Sequence, residues 1–236
     1  MRGTVRTILV ASFGLLFVLD CSIANAANAC NSVTISWSVT SKSGQALNAK
    51  QLAKKTSSLS YIAAIKAISN ANNDVMILFT KKLRAMGMNA DGAGYFALEN
   101  HDPRFIDALR RKQKGIDQRM LDLITRHGLP VAEKVGLDGM MSTAMVMANT
   151  LDPADAAKFA ELWKSGCAKG ELPCAAYALI EDNALLLRDG VQRFGTSSGV
   201  PFANGARLVQ VNEERAKVGL GPLSQTCMDS ITRPHP

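Results

Sequence analysis

The sequence predicts a mainly α-helical protein, an irregular helical bundle with a short N-terminal β element. Apolar residues make up 47% of the chain and aromatic residues only 6%, so alanine, leucine and methionine, which favour helices, carry much of the apolar content. After residue 58, apolar residues recur at helical spacing in one segment after another. Only residues 31–40 alternate between apolar and polar, as a strand with one buried face does.

The N-terminal segment has the three parts of a bacterial secretory signal peptide. Arg2 and Arg6 supply a positive start, residues 8–19 form an apolar run, and Ala24-Asn25-Ala26 supplies the small residues of a cleavage site. The run has about a dozen residues, whereas a membrane span needs about 20. We therefore expect cleavage after Ala26 and a periplasmic or secreted mature protein, with no transmembrane segment after cleavage.

Two other fates of this segment stay open. Retention as an N-terminal anchor is one, although the run is short and ends at Asp20. Lipidation at Cys21 or Cys30 is the other, although the residues before both cysteines match a lipidation motif poorly.

The patterns divide the chain into a signal peptide at 1–26, an N-terminal strand and linker at 27–57, a helical domain at 58–226 and a C-terminal tail at 227–236. In the strand, the side chains that share the apolar face are Val33, Ile35, Trp37 and Val39. The polar, glycine-containing stretch that follows is typical of a linker.

The cysteines predict disulfides. Loss of Cys21 with the signal peptide leaves four, and an even number in an exported protein indicates two bridges. Sequence allows three connectivities. We predict Cys167 with Cys174, which are close in sequence, and Cys30 with Cys227, which would join the two ends of the chain. No C-x-x-C pair and no neighbouring histidine favour a metal site instead.

The first half of the helical domain contains three predicted helices before residue 128. Segments 58–70 and 73–86 carry apolar residues at helical spacing. Asp102, followed by Pro103, predicts the start of a helix that runs to about Arg126, because an acid before proline caps a helix. Gly128 and Pro130 end it. Asp138 is the predicted cap of the methionine-rich helix that follows.

The second half repeats the same signals. Asp152-Pro153 opens a helix that stops at Gly166, and Pro173 opens another that runs through Leu187. The segment between Cys167 and Cys174 joins these two helices, so their disulfide would fasten a helical hairpin. Past Gly190 the chain is irregular, with a last short helix at about 206–217.

The charge balance allows an anionic partner. The formal net charge is +7, and the densest patch, Arg110 to Lys114, lies on an amphipathic helix. A solvated helix face explains the patch most simply. Because aromatic residues do not interleave with the basic ones and no nucleic-acid fold signature is present, we expect no nucleic-acid partner.

Candidate chemical groups are few. The pairs Met86/Met88 and Met145/Met147 could ligate Cu(I), but methionine as flexible core filler explains them without metal, so we predict no metal site and no cofactor. His127 lies at a helix C-terminus, where a capping role and a catalytic role are both open.

Five motifs then occur in a fixed order: His127-Gly128-Leu129-Pro130, Val135-Gly136, Asp182, Gln192-Arg193-Phe194-Gly195-Thr196 and Val218-Gly219-Leu220-Gly221-Pro222-Leu223. Over about residues 112–226, their order and spacing resemble an uncharacterised family of helical, often exported bacterial domains. Its members carry a His-Gly-Trp-Pro turn, a Gln-His pair in the middle helix, an Asp-Arg pair, a Pro-Gln-x-Tyr-Gly-Thr-Gln box and a closing Glu-Arg-Arg-x-x-x-Gly-Leu segment. The resemblance implies Asp182 as a candidate catalytic residue and Gln192, Gly195 and Thr196 as candidate binding residues.

This chain departs from the family at several polar positions. The replacements are Leu129 for the tryptophan, Met147-Ala148 for the Gln-His pair, Asn183 for the arginine, and Val191, Phe194 and Ser197 within the box. If the family moves a proton with its histidine, this member cannot, because alanine has no proton to transfer.

These observations favour an exported, non-catalytic binding or interaction protein, inhibitor-like or immunity-like, whose partner is an unidentified protein or envelope component. The alternative is a cell-envelope hydrolase that uses Asp182, with Gln192 and Thr196 positioning substrate. A third hypothesis is an anionic polymer bound by Arg110 to Lys114, which predicts binding that weakens with salt.

Overall fold

The computed structural model describes residues 59–88 and 92–232. Over these ranges the chain forms eight α-helices and no β-strand, so the predicted mainly α-helical bundle is confirmed. The predicted strand at 31–40 and the predicted signal peptide lie outside the described residues.

The helices, in chain order, are α1 (Leu59–Ala85), α2 (Gly92–His101), α3 (Pro103–His127), α4 (Ala132–Ala148), α5 (Pro153–Ala168), α6 (Cys174–Asp189), α7 (Leu208–Lys217) and α8 (Gln225–Thr232). One turn of 3-10 helix, Ala203–Gly205, lies between α6 and α7. Helix α1 packs against α3 and α4, α5 runs along α6, and α4 also contacts α6.

Helix α1 is one helix of 27 residues where the sequence predicts two. Asn72 lies at the predicted break, and asparagine is a weak helix former. In the fold, Asn72 is buried, and its Oδ1 accepts a hydrogen bond from Gln113 of α3 at 3.1 Å. That tertiary contact, together with the apolar residues on either side, continues the helix through the unfavourable position.

Helix α3 has the predicted ends. The Asp102 carboxylate accepts a hydrogen bond from the backbone N–H of Phe105 at 3.1 Å, which caps the first turn. At the other end, Gly128 has φ 77°, a conformation that favours glycine, and its N–H donates to the Ile124 carbonyl. The apolar stripe between them faces α1 and the core.

Helix α4 differs from the prediction. It begins at Ala132, six residues before the expected cap Asp138, and it is kinked at Gly136, where φ is 72° and ψ is 171°. Asp138 therefore lies inside the element and does not cap its first turn. Glycine tolerates the positive φ at this kink, so a turn of helix can precede it. The apolar periodicity of the sequence did not reveal that turn.

The α5–α6 hairpin forms as predicted. Asp152 caps α5 by accepting from the N–H groups of Ala154 and Asp155, both at 3.0 Å. Cys167 and Cys174 form a disulfide with a Cα–Cα distance of 4.9 Å, which confirms that pair. Trp163, the largest fully buried side chain among the described residues, donates its indole N–H to the Pro173 carbonyl at 3.0 Å, so the disulfide closes a well-packed connection.

The chain after α6 packs back onto the bundle. Phe194 is buried in the main core, where its ring meets Tyr177 of α6 edge to face with centroids 5.9 Å apart. A second, smaller apolar cluster lies beyond it and comprises Phe202, Val211, Leu223 and Ile231. Ile231 is buried there, and residues 227–232 of the predicted C-terminal tail belong to helix α8, while residues 233–236 lie outside the described residues.

Cys227 lies on α8 beside this small cluster and is disulfide-bonded. Its predicted partner, Cys30, lies outside the described residues, so the Cys30–Cys227 pairing stays a prediction.

Replacing both Cys167 and Cys174 by serine is expected to lower the free energy of unfolding by about 2 kcal/mol, the lower end of the usual disulfide effect, because the closed loop is short. Urea titration of the oxidised protein measures this difference. Reduction of the double variant should lower its stability further through the disulfide at Cys227. An unchanged stability of C167S/C174S would show that helix packing alone holds the hairpin.

Candidate functional site

Asp182 is the centre of the residues that the sequence singles out. It lies on the inward face of α6 and is fully buried. Its Oδ1 accepts hydrogen bonds from the backbone N–H groups of Arg193 at 2.7 Å and Phe194 at 2.9 Å. Its Oδ2 accepts from the N–H of Thr196 at 2.9 Å and from the Thr196 hydroxyl at 2.8 Å. Both oxygens are therefore engaged in holding one loop.

Burial and hydrogen bonding act on Asp182 in opposite directions. Burial raises the pKa of the carboxyl above its ordinary value, and the four donors oppose that rise. Each donor is an N–H or O–H aimed at an oxygen, which is the arrangement that an ionised carboxylate needs. The group is thus a fixed acceptor within the fold.

Gln192 is fully buried and equally engaged. Its Nε2 donates to the carbonyls of Ser197 at 2.8 Å and Val200 at 2.7 Å, and its Oε1 accepts from the Ser197 N–H at 2.9 Å. Its backbone pairs with Pro201 and Ala203. We call residues 192–203 the box loop. Gln192 closes this loop from within, and Asp182 holds it from α6.

Gly195 serves the close packing of the box loop. Its φ is 71°, and a Cβ there would lie 2.9 Å from Leu223 and 3.0 Å from Phe202. A side chain there would force these two neighbours to shift, and the positive φ would strain the backbone of any residue other than glycine. Gly195, which the sequence predicted as a binding residue, thus allows the box loop to pack closely against the small apolar cluster.

Arg215 completes this arrangement and was not among the predicted site residues. It is 5% exposed, donates from Nη1 to the Phe194 carbonyl and from Nε to the Gly221 carbonyl, both at 2.6 Å, and burial lowers its pKa. Its sequence signal is its position on the apolar face of α7, between Val211 and Val218. Helix α7 is fixed to the box loop through this guanidinium.

His127 occupies a different place. It is the last residue of α3, and its ring stacks on Tyr61 of α1 with centroids 4.8 Å apart. The Tyr61 hydroxyl donates to the Gly128 carbonyl at 2.8 Å, and Lys134 donates to the His127 carbonyl at 3.0 Å. These contacts fasten the end of α3 to its neighbours and do not bring the imidazole to the Asp182 carboxylate.

The geometry therefore brings Asp182, Gln192, Gly195 and Thr196 together as a structural unit. Because Asp182 and Gln192 have no exposed surface, a solvent-borne substrate cannot reach the carboxylate or the amide. The arrangement anchors a loop, and its polar groups hold no position open for a reacting atom.

A second buried polar cluster, which the sequence did not indicate, lies between α1, α3 and α6. Gln113 donates from Nε2 to Asp117 Oδ1 at 2.9 Å and to Asn72 Oδ1. The Thr150 hydroxyl donates to Asp117 Oδ2, and Asn183 donates to the Thr150 carbonyl at 3.0 Å. The only sequence signal was two polar residues four apart on the apolar stripe of α3.

Asp117 is the acidic residue of this cluster, and its pKa is raised. It is fully buried, and burial raises its pKa from the ordinary 3.8 to about 6. The hydrogen bonds from Thr150 and Gln113 lower the pKa, whereas the nearby carboxylates of Asp155 and Asp152 raise it. Unlike Asp182, it accepts no backbone N–H among the described residues.

Charged side chains form ion pairs at the N-terminus of α5. Asp155 is buried, and its carboxylate lies 2.7 Å from Lys114 and 3.2 Å from Lys158. Lys114 also lies 3.2 Å from Asp152. These lysines pair with the α5 acids, while Asp117 stays on the inner side of α3 with neutral partners.

Three of the four paired methionines lie in or against the core. Met147 is fully buried in it, and Met86 and Met88 are partly buried against it. This packing is what flexible apolar side chains provide. Within the described residues, no three histidine, cysteine or acidic side chains gather closely enough to hold a metal ion.

Comparison with family models, with curated proteins and with solved structures gives no match for this chain. None of the described helices combines the length and the apolarity that a membrane crossing requires.

Replacing Asp182 by asparagine is expected to lower the free energy of unfolding by about 3 kcal/mol. With its NH₂ at the Oδ1 position, the amide faces the two backbone N–H donors of Arg193 and Phe194. With its NH₂ at the Oδ2 position, it faces the Thr196 N–H, while the Thr196 hydroxyl can rotate to accept. Either way at least one buried donor loses its acceptor, and unpaired buried groups cost roughly 1–3 kcal/mol each. Urea unfolding measures the loss. Asp189→Asn, on the exposed end of the same helix, is the matched control and should stay near wild type. Equal stability of both variants would contradict the structural role.

Replacing Asp117 by asparagine is expected to remove a pH dependence of stability. The folded pKa lies above the unfolded value, so ionisation of Asp117 destabilises the wild type as pH rises from about 4 to about 7. The cost reaches about 3 kcal/mol above pH 7. It is measured as the difference in unfolding free energy between wild type and D117N across this range.

Asp122→Asn, on the exposed face of α3, is the control for this measurement and should run parallel to wild type. A pH-independent offset between wild type and D117N would show that Asp117 has the same pKa in the folded and unfolded chains.

Proposed function

We propose that this chain is an exported, non-catalytic binding protein of the bacterial envelope, which acts on a protein or envelope component by association alone. The observation that carries the proposal is the burial of the box residues. Asp182 and Gln192 make all their hydrogen bonds inside the molecule, so the most conspicuous polar motif stabilises the fold.

Two features support the export part of the proposal. The N-terminal sequence combines a positive start, a short apolar run and Ala24-Asn25-Ala26. The Cys167–Cys174 disulfide fits an oxidising compartment such as the periplasm, since cytosolic proteins rarely keep such bonds.

The hydrolase alternative depends on Asp182 reaching a substrate. A general acid or base must lie within hydrogen-bond distance of the proton that it transfers. The four donors around Asp182 occupy both oxygens, and the half-buried Thr196 already gives its hydroxyl to the same carboxylate. No observation favours the hydrolase over the binding protein.

Expression of the whole chain in a Gram-negative host should give a periplasmic protein whose intact mass corresponds to a start at Ala27 with its remaining cysteines oxidised. Cell fractionation and mass spectrometry of the purified protein measure this. A variant with Leu15→Arg and Leu16→Arg, which interrupts the apolar run, should stay in the cytoplasm as the full-length precursor, because the translocation machinery needs the apolar segment.

Three results would contradict the proposal. A wild-type chain that keeps residues 1–26, or one that carries a lipid on Cys21 or Cys30, would contradict the predicted cleavage. Release of soluble fragments from purified envelope polymer by the oxidised protein, above a buffer control, would contradict the absence of catalysis.

A further inference from the structure

Helix α3 presents a row of unpaired positive charge. Five of its exposed basic side chains form no ion pair with an acid of the described residues: Arg104, Arg111, Lys112, Arg119 and Arg126. We call these five the α3 basic stripe. At 3.6 residues per turn they fall within an arc of about 100°, opposite the buried face of the helix.

The stripe is not the patch that the sequence predicted. Arg110 is only half-exposed, pairs with the Glu99 carboxylate and donates to the Tyr95 hydroxyl at 2.6 Å. Lys114 is held by Asp152 and Asp155. Two of the four cations between residues 110 and 114 are therefore paired with acids of the protein, and the cations without an ion pair extend along the helix instead.

Few acids oppose the stripe on its own helix. Asp122 lies within the arc and accepts a hydrogen bond from Gln118 at 2.8 Å. Asp107 lies about 40° outside the arc, 3.6 Å from Arg110. From residue 104 to 126 the row is about 33 Å long, and residues 112, 119 and 126 follow one another at about 10.5 Å, two helical turns.

The surroundings of the stripe indicate the chemistry of a partner. The apolar residues of α3 face the core, and the exposed large apolar side chains of the described chain lie on α1 and α7: Ile77, Leu78 and Val209. The stripe thus lacks the apolar face with which a helix enters a bilayer. It also lacks aromatic residues on which bases could stack.

We propose that the α3 basic stripe binds a linear polyanion, a flexible polymer with closely spaced carboxylate or phosphate groups. The cations form a narrow row one helix wide, which is complementary in shape and charge to a single polymer chain of anionic groups. Four of the five cations are arginines, whose planar guanidinium binds carboxylate and phosphate oxygens in pairs. This inference rests on the proposed function, because it names the surface and the class of partner for an exported binding protein.

The test measures binding of the mature, oxidised protein to polygalacturonate, a carboxylate polymer, and to polyphosphate, with neutral dextran as a blank, from 50 to 300 mM salt. The stripe variant is R111Q/R119Q/R126Q. The control variant, K66Q/K81Q/K169Q, removes the same charge from exposed lysines on α1 and after α5 that form no ion pair among the described residues. Thermal unfolding confirms that both variants are folded.

Binding by wild type should weaken steeply with salt. The stripe variant should bind about tenfold more weakly at low salt, and its slope of log affinity against log salt should be about two units shallower, since each lost contact contributes about 0.7. The control variant should stay within about twofold of wild type. The two polymers distinguish a carboxylate from a phosphate preference.

Several outcomes would overturn the inference: no binding of either polymer, salt-insensitive binding, equal losses in the two variants, or binding only to vesicles of anionic phospholipid. None of these bears on export or on the absence of catalysis. Conversely, shortening of polygalacturonate by the protein, seen by size-exclusion chromatography, would contradict the proposed function while the stripe remains its binding surface.

Discussion

The buried carboxylate of Asp182 joins the last part of the described chain to the helical bundle. One side chain on α6 accepts three backbone N–H groups and a hydroxyl, and so fixes the irregular segment after Gly190. The placement of Phe194 in the core and the contact of Arg215 with its carbonyl both depend on that loop. A buried carboxylate without these donors would be strongly destabilising, so the loop and the acid require each other.

Two of the buried acids among the described residues, Asp182 and Asp117, show how environment decides a role. Asp182 has four donors and serves as a permanent acceptor, whereas Asp117 has two side-chain donors and two neighbouring acids that raise its pKa. The same side chain is therefore a structural anchor in one place and a pH-dependent cost in the other. Neither side chain is exposed to solvent, so neither can contact a partner. The charged outer surface of α3 is exposed and can.

Local sequence signals predicted much of the framework because they act over a few residues. Asp102 and Asp152 cap their helices, Gly128 ends α3, and the Cys167–Cys174 pair closes its hairpin. Each depends on backbone groups within about one helical turn or on a short loop. The prediction of a break in α1 was wrong because Asn72 is held by Gln113, a residue distant in sequence.

The sequence by itself determined the helical class, the caps of α3 and α5, one disulfide and an expectation of export. Only the tertiary structure decided what the polar residues do. The sequence grouped Asp182 with Gln192 and Thr196. It could not show that the hydrogen bonds of Asp182 and Gln192 both hold the box loop. It likewise placed charge at 110–114 without showing which cations are paired. Burial and pairing depend on residues brought together from distant helices, so local patterns do not reveal them.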